Sequence, residues 1–278
     1  MFWALTYFRP LFFVVSPSFC YDSYMSQWST KRQFSYLSGV FLFLLITIGT
    51  PVYFYFFNNP PTCSDRKQNG DEAGIDCGGV CARFCTQDTL PPIVLWQRMS
   101  RVSDGFHNAL AFVENPNHDA TLVNASYSFK LFDKTNVLIA ERRGRVSLPP
   151  KIVVPIFEGT ITTGSDVPAR ITFEVAGTNW QKEAMEVPLV VVSNTVYSNE
   201  DGFPRVSGIL TNKSLKTIEP LYAVAVVYDN EGNAMAFSRT LLDPLLKNAS
   251  AEAVFTWRED FPTSYSKIEI LPQVLIGH

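Results

Sequence analysis

The sequence predicts an all-β protein: two tandem β-sandwiches that follow an N-terminal transmembrane helix and a short cysteine-rich segment. Three observations carry that expectation. The stretch from Phe34 to Phe57 contains no charged residue. Four of the five cysteines lie between Cys63 and Cys85, and none follows. From about residue 91 onward, short runs alternate apolar and polar side chains between turn residues, and the pattern occurs twice.

The balance of residue types supports this division. Of 278 residues, 46% are hydrophobic and 18% are charged, against about 25% charged in an average soluble protein. The deficit is concentrated, because no Asp, Glu, Lys or Arg occurs between Arg32 and Asp65. The 23 basic and 26 acidic residues leave a net charge of −3. No basic patch of the kind that nucleic acid requires is present. The residues after 90 suffice for two small cores.

Residues 34–57 read FSYLSGVFLFLLITIGTPVYFYFF. As a helix they would rise roughly 36 Å, enough for a hydrocarbon core of about 30 Å. Tyr36, Tyr53 and Tyr55 sit near the two ends, where amphipathic rings favour the interface. Pro51 is expected to kink or end the helix, giving a tightest span of 34–54. A cleaved signal peptide would have a shorter apolar run and small residues at its end, unlike Phe56-Phe57-Asn58-Asn59. Lys31 and Arg32 before the span and Arg66 and Lys67 after it nearly balance. Orientation is therefore set by the cysteines, which imply an oxidising compartment beyond the span. Residues 1–33 become the cytoplasmic segment. Within it, Arg9 and Pro10 interrupt an apolar stretch too short to span, and Met25 is the expected true start.

The cysteine-rich collar, residues 58–90, carries Cys63, Cys77, Cys81 and Cys85, expected to form two disulfides. Three pairings are open. Between them lie Asp65, Asn69, Asp71, Glu72 and Asp76, interleaved with glycines. Set against an EF-hand loop beginning at Asp65, the residues Asp65, Asn69, Asp71 and Asp76 take ligand positions, and Gly70 takes the sharp turn. Lys67 stands where a ligand is needed, and Asp76 replaces the bidentate Glu. Three readings follow: disulfides around a hydrogen-bonded acidic turn, disulfides with a bound calcium ion, or a zinc site. The last lacks the usual C-x2-C pairs. The pattern C-x-D-x3-N-G-D-E-x-G-x-D-C-G-G-x-C-x3-C resembles a short cysteine-rich motif of bacterial surface proteins found just outside a membrane anchor. That resemblance implies a location and no activity.

The repeat begins with Asp104-Gly105-Phe106, which recurs as Asp201-Gly202-Phe203, and Asn115 recurs as Asn212. Phe129-Lys130-Leu131-Phe132-Asp133 recurs as Ala225-Val226-Val227-Tyr228-Asp229, one residue out of step. The first sandwich is assigned to residues 91–192 and the second to 193–278. In the first copy Tyr127, Phe129 and Leu131 share one strand face. In the second, Tyr222, Val224, Val226 and Tyr228 do the same. Both strands end in turns, Asp133–Asn136 and Asp229–Asn233. Further strands are expected at 93–98, 109–114, 152–157, 169–175, 187–192, 205–210, 251–257 and 267–271. The segment Asn212…Tyr228-Asp229-x-x-Gly232-Asn233 with Phe255, and Phe129-x-Leu131-Phe132-Asp133 before it, resemble the F-x-L-Y-D family of immunoglobulin-like bacterial domains. That resemblance implies two tandem immunoglobulin-like β-sandwiches and says little of function.

No catalytic motif is present. His107 and His118 fall in turn-rich stretches and read as solvated, and His278 is terminal. The sequons at Asn124, Asn212 and Asn248 read as chance. The expected protein is therefore not an enzyme. It is a single-pass cell-membrane protein with extracytoplasmic C-terminal domains, held in the lipid bilayer by residues 34–57. Its expected role is a binding or spacer module for an unknown protein or glycan, with calcium as the one candidate cofactor. The alternatives are a bitopic structural subunit of a cell-envelope complex, or an enzyme with a site between the two sandwiches.

Overall fold

A computed structural model describes residues 27–57, 60–182 and 187–274. The expectations for residues 1–24, Cys20, the Met25 start and His278 lie outside the described residues. The chain divides into two compact units, Met1–Pro60 and Pro61–His278.

Among its described residues the first unit holds one helix in three parts: α1 (Gln27–Leu44), a π-helical turn (Leu45–Gly49) and α2 (Thr50–Phe57). Its stretch Thr30–Phe57 is long and apolar enough to cross a bilayer, and its apolar side chains are exposed. The helix continues past Pro51, which the sequence suggested would kink or end it. Proline cannot donate to the preceding turn, and the wider π turn sits immediately before it. Threonine hydroxyls bond carbonyls there, Thr47 Oγ1 donating to Phe43 O at 2.7 Å and Thr50 Oγ1 donating to Ile46 O. Such side-chain bonds are how a proline is tolerated in an apolar helix.

The second unit is all-β after the collar. Its first half holds β1 (Ile93–Ser103), β2 (Phe106–Glu114), β3 (Thr121–Phe132), β4 (Leu138–Leu148), β5 (Val153–Thr162), β6 (Arg170–Ala176) and the two-residue β7 (Trp180–Gln181). Its second half holds β8 (Val190–Glu200), β9 (Phe203–Asn212), β10 (Leu221–Asp229), β11 (Ala234–Leu242), β12 (Ser250–Thr256) and β13 (Tyr265–Val274). Sheet β1-β2-β5 faces sheet β4-β3-β6 across a core that includes Ala111, Phe129, Leu131 and Ile156, with β7 added beside β3. Sheet β8-β9-β12 faces β11-β10-β13 across Val206, Leu210, Ala225 and Phe255. All the pairings are antiparallel. Strand β8 pairs with β9, so the assigned domain boundary at 192/193 falls inside a strand of the second sandwich. The strand expected at 187–192 thus opens the second sandwich and does not close the first.

The duplication is structural as well as sequential. A shift of 97 carries β1 onto β8 and Asn115 onto Asn212. Both asparagines are fully buried. Asn115 Nδ2 donates to Ala120 O and Leu148 O at 2.7 and 2.8 Å. Asn212 Nδ2 donates to Lys216 O and Leu245 O at 2.8 and 2.9 Å. Each side-chain oxygen accepts the backbone N–H two residues on, from Asn117 and Ser214. One amide thus satisfies the carbonyls that would otherwise be stranded where strand leaves sheet. The Asn212 sequon is spent on this corner. The turns after β3 and β10 also match. Asp133 Oδ1 accepts from Thr135 N and Val137 N, and Asp229 Oδ1 from Glu231 N and Asn233 N. The left-handed position is Asn136 in one copy, φ 63°, and Gly232 in the other, φ 82°.

The two sandwiches stack face to face. The outer face of β1-β2-β5 meets the outer face of β11-β10-β13, burying Leu110, Phe157, Val224, Val226 and Phe237. Trp96 stacks on Phe112 with ring centroids 4.2 Å apart, partly buried at the seam. At about 1.5–3 kcal/mol per buried side chain, these five contribute roughly 8–15 kcal/mol before ordering costs, comparable to the whole stability of a domain. The joined faces are not equivalent under the repeat, so each sandwich keeps one free copy of a seam face. The free copies are polar at the positions that match the centre of the seam. Val224, Val226 and Phe237 of the seam correspond to Ser128, Lys130 and Glu141 on the free face of β4-β3-β6. Leu110 and Trp96 correspond to Ser207 and Ser193. Polar outer faces stop a stack of repeats at its ends.

Candidate functional site

The collar is a compact knot closed by Cys63–Cys81 and Cys77–Cys85. Its acidic residues form a hydrogen-bonded turn. Asp65 accepts from Lys67 N at 2.8 Å and from Asn69 Nδ2 at 2.7 Å. The bond from Asn69 is the largest cause holding the Asp65 carboxyl below the usual carboxylate range. Both oxygens of Asp76 accept from Arg66 N at 3.1 Å. Glu72 Oε2 takes Asn69 N and Asp76 N. Asp71 stands exposed in the next turn, and its backbone carbonyl lies against Gly79, where a Cβ would come within 1.5 Å of the oxygen.

Of the residues that the sequence offered for calcium, Asp65, Asn69 and Asp76 are engaged in the turn's own hydrogen bonds and Asp71 is exposed. Among the described residues, Cys63, Glu72 and Cys81 are the set of three potential ligands whose donor atoms come within 4.8 Å of one another. Asp65, Asp71 and Asp76 form no such set. The two sulfurs of that set are bonded to each other, so no thiolate is offered. All four collar cysteines are used in the same way, which leaves zinc without thiolate ligands there.

The knot is fused to the first sandwich. Residues 82–84 run antiparallel to 180–182, with Phe84 N donating to Trp180 O at 2.9 Å and Lys182 N to Ala82 O at 2.7 Å. Phe84 packs against the first core, and Lys182 Nζ lies 5.5 Å from its ring centroid while donating to Gly79 O. Leu90 and Asn117 exchange two bonds of 2.8 Å.

A second feature was invisible in the sequence. Beside the seam lies a cleft of about 680 Å³. One wall is β1 at Ser100, Arg101 and Val102, and the other is the turn 256–262 after β12. Its floor is tied by two reciprocal bonds across the seam. Asn108 Nδ2 of the first sandwich donates to Phe237 O at 3.2 Å, and Arg239 Nη1 of the second donates to Phe157 O at 3.1 Å. The Arg239 guanidinium also lies over the rings of Phe157 and Tyr222, 4.9 and 4.3 Å from their centroids. Three carboxylates line the cleft without converging. Glu158 Oε1 accepts from Tyr127 Oη at 2.7 Å, Glu259 lies 3.7 Å from Arg101, and Asp260 accepts from Asn199 Nδ2. Burial and Glu158 raise the Tyr127 hydroxyl well above its usual value, so it remains a donor. Trp257 packs against the second core, and its indole Nε1 is buried without a protein partner.

His107, expected to be solvated, is buried on the inward face of β2, with Nδ1 3.5 Å from Thr163 Oγ1. Burial, and then the nearby Arg101 charge, lower its pKa and favour the neutral imidazole. His118 is exposed, as expected.

The chain matches no family model and no curated protein.

Proposed function

We propose that this chain is a membrane-anchored, extracytoplasmic binding module without catalytic activity. The carrying observation is the knot: two disulfides close within 23 residues, Cys63 to Cys85, directly after a helix able to span a bilayer. Such cross-links persist in oxidising compartments, which supports a position outside the cytoplasm for everything after the helix. The resemblance to bacterial surface proteins and to immunoglobulin-like domains agrees with this. Face-to-face stacking favours binding over a spacer role, because two stacked sandwiches gain little reach. The non-catalytic reading is supported by the carboxylates of the cleft, each engaged with a different partner.

Cross-linking in intact cells, followed by extraction in mild detergent and affinity purification, tests the assignment. A partner or glycan retained through residues 61–278 supports it. Co-purification that depends only on the helix and survives removal of both sandwiches would instead make the chain a bitopic subunit of an envelope complex.

A further inference from the structure

The duplication provides an internal control for the cleft. Both copies keep what the fold needs: the buried asparagine, the aspartate turn and the alternation of the core strands. They differ sharply after the strand that ends the cleft wall. In the first copy β5 continues through Thr160-Ile161-Thr162 and pairs with β2 as far as Phe106. In the second copy β12 stops at Thr256, and Trp257-Arg258-Glu259-Asp260-Phe261-Pro262 takes the corresponding place. A short neutral segment has become an aromatic and charged turn.

The chemistry of the lining narrows the ligand. The residues around the cleft include Arg101, Arg239 and Arg258 together with Glu158, Glu259 and Asp260, three cations and three anions, so the cleft favours neither a polyanion nor a polycation. Trp257 and Phe261 line it, packed edge to face with centroids 5.3 Å apart. Hydroxyl groups that both donate and accept, mounted on a ring with apolar C–H faces, satisfy all of these demands together. We propose that the cleft is a binding site for a neutral saccharide. This rests on the reading of the chain as an extracytoplasmic binding module and names the ligand class of that module. The floor, fixed by Asn108 and Arg239, is shaped before the ligand arrives.

The test uses the full chain in lipid nanodiscs, with chitohexaose, cellohexaose, maltohexaose and mannohexaose as neutral probes and oligogalacturonate as an acidic one. Binding is measured by calorimetry at up to about 1 mM probe, the weak end of specific recognition. A neutral hexasaccharide should bind. Trp257→Ala and the paired Glu259→Gln and Asp260→Asn should each weaken it at least about tenfold, or about 1.4 kcal/mol. Lys130→Ala, on the far free face, should leave it unchanged. The paired variant alters only exposed groups, so its effect stands even where Trp257→Ala disturbs the second core. Binding of no neutral probe, binding of the acidic probe alone, or binding indifferent to the cleft variants would overturn the proposal. If a protein is cross-linked through residues 61–278 while no saccharide binds, the cleft assignment falls and the binding-module reading survives.

Discussion

Replacing Phe237 by alanine should uncouple the two sandwiches. Phe237 is fully buried at the seam, packs edge to face on Phe157 with centroids 6.2 Å apart, and belongs to neither sandwich's own core. Truncating a buried phenylalanine costs about 3–5 kcal/mol. Against a seam worth roughly 8–15 kcal/mol gross, that removes about a fifth to three fifths of the coupling. The full chain in nanodiscs should unfold in urea as one transition, followed by tryptophan fluorescence, with Trp96 reporting on the seam. Phe237→Ala should lower the midpoint and split or broaden the transition, because each sandwich retains its own core. The duplication supplies the control. Glu141 occupies the same place in the first copy, on a free face, where its carboxylate pairs with Arg143 at 2.9 Å. Glu141→Ala should leave the midpoint unmoved, as for an exposed ion pair. The reasoning is refuted if the unaltered chain already shows two separate transitions, or if Phe237→Ala changes the midpoint no more than Glu141→Ala does.

Other expectations follow from the same contacts. Asn115→Ala and Asn212→Ala should each cost about 2–6 kcal/mol, since each strands at least two buried carbonyls. Urea midpoints should show similar losses at both positions, and a loss at one alone would contradict their structural equivalence. Backbone N–H bonds, from Val137 and Asn233 respectively, are the largest cause lowering the Asp133 and Asp229 carboxyls below their ordinary 3.8. Their folded values are depressed, so the stability they confer is full above about pH 4 and is lost as pH falls through the depressed values. Asp133→Asn with Asp229→Asn should flatten the acid limb of the midpoint–pH curve, and an unchanged limb would assign it to other groups. Calcium added at about 1 mM, where extracellular modules bind it, should give no stoichiometric heat with the full chain. A one-to-one isotherm abolished by Asp65→Asn and Asp76→Asn would show that the knot rearranges to hold the ion.

Much of the fold was legible because it rests on local periodicity. The strand at 121–132 was found to the residue, and the turn aspartates were read correctly as turn formers. Strand β4 was missed because Glu141, Arg142, Arg143 and Arg145 crowd an edge whose outer face is wet. Strand β11 was missed because Ala234–Leu242 mixes small, polar and apolar residues on a strand buried on both sides. The second repeat misled in a more informative way. Tyr222, Val224, Val226 and Tyr228 look like the core face of β10, yet they form the seam, and the core is filled by Leu221, Ala223 and Ala225. A strand apolar at both parities, Ala223 through Val227, is the signal of burial on both faces. The cleft left no such trace, because its walls are brought together only when non-equivalent faces of the two copies stack. The four cysteines marked the knot, but their pairing depends on backbone geometry that spacing cannot fix.

Thiol labelling in intact cells bears most directly on the placement of this chain across a membrane. Two variants are compared, Lys213→Cys in the second sandwich and Thr30→Cys at the start of the helix, each exposed to a membrane-impermeant maleimide before and after lysis. The expected result is that Lys213→Cys is labelled on unbroken cells and Thr30→Cys only once they are opened. Labelling of the sandwich position solely after lysis would put the β-domains in the cytoplasm and contradict the account.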